Sequence, residues 1–250
     1  MQNHGLNRIG MLDGLRGFAV LLVMQFHFAH VRFVSGSWID HVVYKITFLG
    51  WVGVDLFFVL SGFLITGILL KSLDKPNYFK NFYVRRILRI FPVYYIYMIF
   101  IFLILYPSIS GKMGVAEQSK IDAAENLWPW FFLHLSNIKQ FMEGGVFFGA
   151  GLGHIWSLGI EEQFYLFWPL LVFSIPNLKN LRLICLWVLI GSVMARIYLW
   201  RQNISADAIY VFTLTRLDGL VSGSILATYW AEGPFKVSGS ARQILFVGLI

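Results

Sequence analysis

Charge is the first thing this sequence has little of. Only 13% of its 250 residues are Asp, Glu, Lys or Arg, against roughly 25% in an ordinary soluble domain. A soluble sphere of this length could not cover its surface with so few. Cysteine is almost absent as well, and the solitary Cys185 excludes an internal disulfide. The histidines are scattered and Cys185 sits inside an apolar segment, so no zinc-ligand spacing exists and no metal is expected. There is no Walker or dinucleotide glycine loop. Repeats, low-complexity tracts and Gly/Ser linkers are missing too, so a single domain over 1–250 is expected. What fills the chain is apolar: 58% of it, with 24 Phe, 11 Tyr and 9 Trp. That much apolar area excludes disorder. The expected fold is all-α, a polytopic helix bundle in a lipid bilayer.

A helix needs roughly 20 apolar residues to cross a hydrocarbon core of about 30 Å. Candidate spans run over 14–33, 46–70, 90–109, 157–176, 182–200 and 208–230. A shorter segment, 127–141, contains Pro129 and a polar tail, and three readings are open for it: crossing, re-entering, or lying in the interface. The apolar stretch from Ile244 to Ile250 is too short to span. About eight helices are therefore expected, in a chain that is a fragment or has lost later helices. The first span is no cleaved signal peptide, since it holds Arg16 and His27 and lacks a small-x-small site.

The net charge of +7 raises the question of nucleic acid, but its distribution answers otherwise. Lys71, Lys75, Lys80, Arg85, Arg86 and Arg89 gather between the second and third spans, opposed only by Asp74, whereas loop 107–126 is balanced. By the positive-inside rule the first loop is cytoplasmic and the second external, with the amino terminus inside beside Arg8. Arg196 and Arg201 are then expected at the cytoplasmic end of the sixth span. No nucleic-acid partner is expected.

Ionisable groups at bilayer depth are functional candidates by default. Arg16 and His27 are eleven residues apart, which is three helical turns plus about 20°, so they share one face about 16 Å apart. Arg16 is expected near the cytoplasmic interface and His27 near the midplane. Asp55, on the second span, reads as a structural partner for a neighbouring arginine. Ser61 is a poor hydrolase nucleophile because Val59-Leu60-Ser61-Gly62 lacks the first glycine of an elbow. Arg85 and Arg89 share a helix face, and with Arg86 they suit a polyphosphate that guanidinium groups grip bidentately. The lysines need no more than the positive-inside rule. A Gly-rich approach leads into His154-Ile-Trp-Ser-Leu-Gly-Ile-Glu161-Glu162-Gln163-Phe-Tyr165, where helix-start electrostatics accounts for the carboxylates but not for His154 or Gln163. Arg216 and Asp218 read as an intramembrane ion pair.

Taken together, these segments resemble the acyltransferase-3 family of integral-membrane acyltransferases. The matching blocks are Leu12-Asp-Gly-Leu-Arg16-Gly with the Arg-x10-His spacing to His27, Gly53-Val-Asp55 through Ser61-Gly-Phe, Arg85-Arg86-x-x-Arg89-Ile-Phe-Pro92, His154-x-Trp-Ser-Leu-x-x-Glu161-Glu-Gln-Phe-Tyr165, and Thr215-Arg216-Leu-Asp218-Gly219. They occur in the family's order from about residue 8 to residue 230. The resemblance implies a domain of about ten helices in a bacterial cytoplasmic (inner) membrane. It moves an acyl group, usually acetyl, from acyl-CoA as co-substrate to a hydroxyl of a carbohydrate or glycolipid acceptor. No permanently bound cofactor is implied. An essential Arg–His pair carries over to Arg16 and His27, the arginine motif to Arg85, Arg86 and Arg89, and the Glu-x-Gln-Phe-Tyr motif to Glu161. The expected assignment makes His27 either the base on the acceptor hydroxyl or a transient acyl carrier. Arg16 binds a phosphate or the thioester or stabilises developing charge, and Glu161 with His154 orients an imidazole or accepts a proton. Arg85, Arg86 and Arg89 hold the acyl-CoA phosphates, with Asp55, Glu162, Arg216 and Asp218 in support. The competing reading is a proton-coupled transporter or flippase of a lipid-linked saccharide, built on Arg16, His27, Asp55 and Glu161.

Overall fold

The structure, a computed structural model, describes residues 10–29, 49–112, 114, 127–145 and 152–233, and the statements below concern these. Helix α1 (Gly10–Ala29) is followed by a 3-10 turn (Leu49–Trp51) and α2 (Val52–Leu70). Helix α3 (Tyr78–Ile109) is α-helical to Ile99 and π-helical over Phe100–Leu105. Two short helices follow, α4 (Trp128–Phe132) and α5 (Ser136–Met142). The rest comprises α6 (Trp156–Ser174), α7 (Leu178–Arg201), α8 (Ala206–Val211) and α9 (Thr213–Glu232). All regular elements among the described residues are helical, as the apolar runs require. Three helices, α2, α3 and α7, are by length and composition apolar enough to cross a membrane. In α6 and α9 the same length is interrupted by the charged groups of the site.

The bundle is organised around α2. Phe58, Ser61 and Thr66 of α2 meet Trp156, Tyr165 and Trp168 of α6 in that order, so the two helices run parallel. Asp55 and Thr66 likewise meet Arg216 and Ser224, so α9 is parallel as well. α3 runs antiparallel to α6, with Tyr78 donating to the Pro169 carbonyl at 3.2 Å and Tyr83 to that of Leu166 at 2.8 Å. α7 runs antiparallel to α9 through Arg182–Glu232 at one end and Arg196–Asp218 at the other. Parallel packing of α2 and α9 is close because it is built from glycine: a Cβ at Gly62 would lie 1.8 Å from the Leu220 carbonyl oxygen. Large apolar side chains on α3 and α7, among them Leu88, Val93, Leu103, Trp187 and Met194, remain exposed, as a lipid-facing surface demands.

These directions select one open reading and correct two expectations. First, α3 ends and α6 begins at the same end of the bundle, so the 127–145 segment dips in and returns, which selects re-entry among the three readings. Its helices of five and seven residues cover only about 8 and 10 Å at 1.5 Å per residue. Second, Arg201 at the carboxyl end of α7 lies beside the start of α9, opposite the end that carries Lys71 and Tyr78. Arg196 and Arg201 are therefore not on the side of the basic loop. Third, the expected third span, 90–109, starts too late: α3 is 32 residues long, about 48 Å, and the helix face expected for Arg85 and Arg89 lies inside it. The 208–230 segment is two helices, broken at Phe212, whose backbone is extended (φ −78°, ψ 132°).

Candidate active site

At the Lys71 end, α2, the following turn and the first turns of α3 enclose a pocket of about 450 Å³. Its walls include Lys71, Lys75, Asn81, Arg85, Arg86 and Arg89. Five of the six are cationic, and no carboxylate lines the space. Sequence reasoning named the three arginines and left the lysines to topology. The turn 71–77 folds Lys71 and Lys75 back over the face of α3 that bears Arg85 and Arg89. Burial, with the neighbouring Lys75 charge second, pulls the Lys71 pKa below the ordinary lysine value. A cluster of like charges is electrostatically unfavourable, and a bound polyanion relieves it.

Arg86 forms the inner wall of this pocket and links it to the bundle interior. Its guanidinium lies 4.7 Å from the Tyr165 ring centroid and 5.9 Å from that of Phe82. It also feels the charges of Arg89, Glu161 and Arg16. Glu161 is fully buried within hydrogen-bonding reach of Ser61 and Tyr165, whose hydroxyls bond each other. Glu161 and Tyr165 sit four residues apart and so share one face of α6. Ser61, unpromising as a hydrolase nucleophile, is a partner of this carboxyl.

The adjacent carboxylate looks elsewhere. Gly159, Glu162 and Gln163 share a different face of α6, and it is the face that seats the α4–α5 hairpin. A Cβ at Gly159 would lie 2.9 Å from the His134 carbonyl oxygen. Gln163 Nε2 donates to that oxygen at 3.0 Å and to Asn137 Oδ1 at 2.9 Å. Thr213 donates to Gln163 Oε1 at 2.6 Å, and Asn137 Nδ2 donates to Thr213 Oγ1 at 2.8 Å. Gln163 thus locks the hairpin to α6 and to the start of α9, which explains its place in the motif. His134, at the tip, adopts φ +56°, the left-handed region that His tolerates better than most residues. Its ring is buried between Tyr94 (4.2 Å) and Phe91 (5.5 Å), and both ring nitrogens are without a hydrogen-bond partner. The Oε1 atoms of Glu161 and Glu162 are buried and unpartnered too.

The remaining candidates are placed as follows. Asp55 pairs with Arg216, whose guanidinium is caged by Tyr210 (4.6 Å), Phe58 (5.5 Å) and Trp156 (5.9 Å). Asp218 pairs with Arg196 of α7, so Arg216 and Asp218 do not pair with each other. Being two residues apart, they point to different sides of α9. His154 is exposed in the 3-10 turn before α6, about 10 Å along the axis from Glu161. Arg16 lies deeper than the expected interface, at the level of Arg86 and Glu161. α1 runs on past Gly53, where a Cβ would lie 2.7 Å from the Ala19 carbonyl oxygen. This carries the backbone of His27 toward the Asp55 end rather than the midplane, while its side chain lies outside the described residues. Among the described residues no group of three His, Cys, Asp or Glu is placed to hold a metal ion.

A family model described as an acyltransferase domain, Acyl_transf_3, matches residues 9–250. The chain belongs to the acyltransferase-3 family. It is 34% identical over 229 residues to the peptidoglycan O-acetyltransferase OatA of Listeria monocytogenes, covering 88% of this chain and 33% of that protein. It is 35% identical over 246 residues to YrhL of Bacillus subtilis, provisionally named a peptidoglycan O-acetyltransferase, covering 92% of this chain and 34% of the other. A provisionally named O-acetyltransferase of Staphylococcus aureus strain COL is 30% identical over 240 residues, 94% of this chain and 36% of that one. The chain thus spans about a third of the length of these relatives. No solved structure matches it.

Proposed function

We propose that this acyltransferase-3 chain takes an acetyl group from acyl-CoA at the Lys71 end of the bundle and passes it toward a hydroxyl of a cell-envelope glycan, peptidoglycan first among the candidates. The observation that carries the reading is the cationic pocket whose inner wall, Arg86, touches Tyr165 and feels the charge of the buried Glu161. A polyphosphate nucleotide cannot enter hydrocarbon, so its phosphates must be held at the edge while a thin arm enters. The pocket supplies the first requirement and Arg86 marks the way in. The positive-inside rule favours the Lys71 end as cytoplasmic, the compartment of acyl-CoA in a bacterial inner membrane.

Arg85, Arg89, Lys71 and Lys75 hold the phosphates, and Arg86 with Arg16 stabilises negative charge that develops on the thioester oxygen. Glu161, with Ser61 and Tyr165, fixes the guanidinium of Arg86. His27, carried toward the far end, is the base on the acceptor hydroxyl. The transporter reading explains buried charges equally well but gives the cationic pocket no nucleotide to hold.

The test is binding of radiolabelled acetyl-CoA to the full protein in detergent. Each lost charged contact is worth about 1.5–3 kcal/mol, so Arg85→Gln with Arg89→Gln weakens binding by about 10²-fold or more, and wild-type affinity falls with salt. Binding that ignores both the double variant and the salt overturns the proposal.

A further inference from the structure

Polar stations succeed one another along the bundle from the Lys71 end: the cationic pocket, then Arg86 with Glu161, then His134 with Glu162, and finally the Asp55–Arg216 end toward which α1 carries His27. The third station has no role in the donor site described above. Phe91 and Tyr94, which sandwich His134, follow Arg86 on α3, about 8 and 12 Å further along the axis. Glu162, on the α6 face that seats the hairpin, reaches both Tyr94 and Tyr95 with its charge, and Arg86 from the other side.

A buried imidazole normally spends one nitrogen on a hydrogen bond that fixes its tautomer. His134 spends neither. Packing holds the ring: Tyr94 and Phe91 clamp its faces, and the Gln163 bond to its carbonyl anchors the turn. One nitrogen lone pair and one N–H are therefore both uncommitted within the packed interior. That is the equipment of a nucleophile that gains a group at one nitrogen and gives up a proton.

Resting on the donor reading above, we propose that His134 is the transient acyl carrier between the thioester and the acceptor hydroxyl. In the first step an imidazole nitrogen bonds to the acyl carbon as the carbon–sulfur bond breaks. The thiolate leaves with the electron pair and takes up the imidazole proton, giving free CoA and a neutral N-acyl-imidazole. In the second step His27 takes the hydroxyl proton as the acceptor oxygen bonds to the acyl carbon and the carbon–nitrogen bond breaks; the proton then passes from His27 to the leaving imidazole, restoring both rings. Atoms and charge balance with no further reactant.

The experiment gives full-length protein acetyl-CoA labelled in the acetyl group, without acceptor, and reads covalent label by rapid quench and mass spectrometry. Wild type is expected to carry up to one acetyl per chain, on His134. His27→Ala, blocked at the second step, holds the label longer. His134→Phe keeps the aromatic stack, and His134→Asn suits the left-handed backbone. Both are expected to bind acetyl-CoA as wild type does, to melt no lower, to take no label, and to lower cell-wall acetylation by about 10²-fold or more. Label that persists in both His134 variants, maps elsewhere, or never forms in a wild type that acetylates cell wall overturns the carrier and leaves the donor reading standing. A wild type that binds no acetyl-CoA overturns the donor reading, and the carrier with it.

Discussion

The seam between α2 and α9 gives a matched pair of substitutions with opposite expected effects. At Gly223 a Cβ would fall 1.9 Å from the Val59 carbonyl oxygen and 2.7 Å from the Phe63 nitrogen, both backbone atoms that no rotamer change can move. Restoring ordinary contact separates the helices by about 1.5 Å, since carbon needs roughly 3.5 Å from a heavy atom. That shift stretches the Thr66–Ser224 bond, now 2.8 Å, beyond hydrogen-bonding range. Overpacking costs about 1–3 kcal/mol, and a lost buried hydrogen bond about 1 kcal/mol. Gly223→Ala is therefore expected to destabilise by about 2–4 kcal/mol. Gly191, mid-helix in α7, has nothing within 4 Å of its Cβ position. Gly191→Ala removes a flexible residue from a helix and is expected to stabilise by about 0.5–1 kcal/mol. Thermal unfolding in detergent reads both, and at about 2–4 °C per kcal/mol the pair separates by roughly 5–20 °C. Equal melting temperatures for the two variants would refute close parallel packing of α2 on α9.

Other outcomes follow from the same geometry. Gln163→Leu leaves Asn137, Thr213 and the His134 carbonyl short of partners, so it is expected to cost about 2–3 kcal/mol; proteolysis around residues 127–145 should then accelerate. Asp55→Asn leaves the caged Arg216 charge uncompensated; with Asp55 39% exposed the cost is about 2 kcal/mol rather than the 3–5 of a fully buried pair, read as a drop in melting temperature. Lys71 is a charge made unfavourable by burial and by Lys75, so its lowered pKa means the protonated form costs stability at every pH below that value. Lys71→Met is expected to raise the melting temperature of the ligand-free protein near neutral pH while weakening acetyl-CoA binding, as equilibrium dialysis would show.

Much of this was legible in the chain because hydrocarbon is a demanding solvent. Apolar runs of spanning length have only the helix available to them, so α2, α6 and α7 lie where composition puts them. The arginine motif was readable because Arg85, Arg86 and Arg89 are close in sequence and share a helix. What composition could not give is which helices run side by side. The parallel setting of α2 and α9 rests on Gly62 against Leu220 and Gly223 against Val59 and Phe63, contacts across long sequence separations, and it decides that Asp55 meets Arg216 while Asp218 meets Arg196. His134 was missed for a related reason. It belongs to a segment too short to span, and its importance comes from Phe91 and Tyr94 on another helix. The only local sign was a histidine followed by Leu-Ser-Asn after an aromatic run, which reads equally well as an interfacial turn.

The distribution of unsatisfied polar atoms separates structure from function within one bundle. Along the α2–α9 seam every buried hydroxyl is used: Trp168 donates to Thr66, Thr66 to Ser224, and Ser224 to the Leu220 carbonyl. This sequence can therefore satisfy polar groups in a dry interior. Yet both nitrogens of His134, the Ser136 hydroxyl, both polar atoms of the Gln140 amide and one oxygen each of Glu161 and Glu162 are left without partners. Each such atom costs about 1–3 kcal/mol, so together they would consume a large part of the roughly 5–15 kcal/mol that keeps a domain folded. A packing role cannot account for them, because Phe or Leu would fill the same space without the penalty. Apart from Arg216 Nε on α9, they concentrate on the hairpin and on the first turns of α6, further along the bundle than Arg86. A ligand with a carbonyl and a hydroxyl would supply the missing partners, and an acyl group in transit to an alcohol carries both.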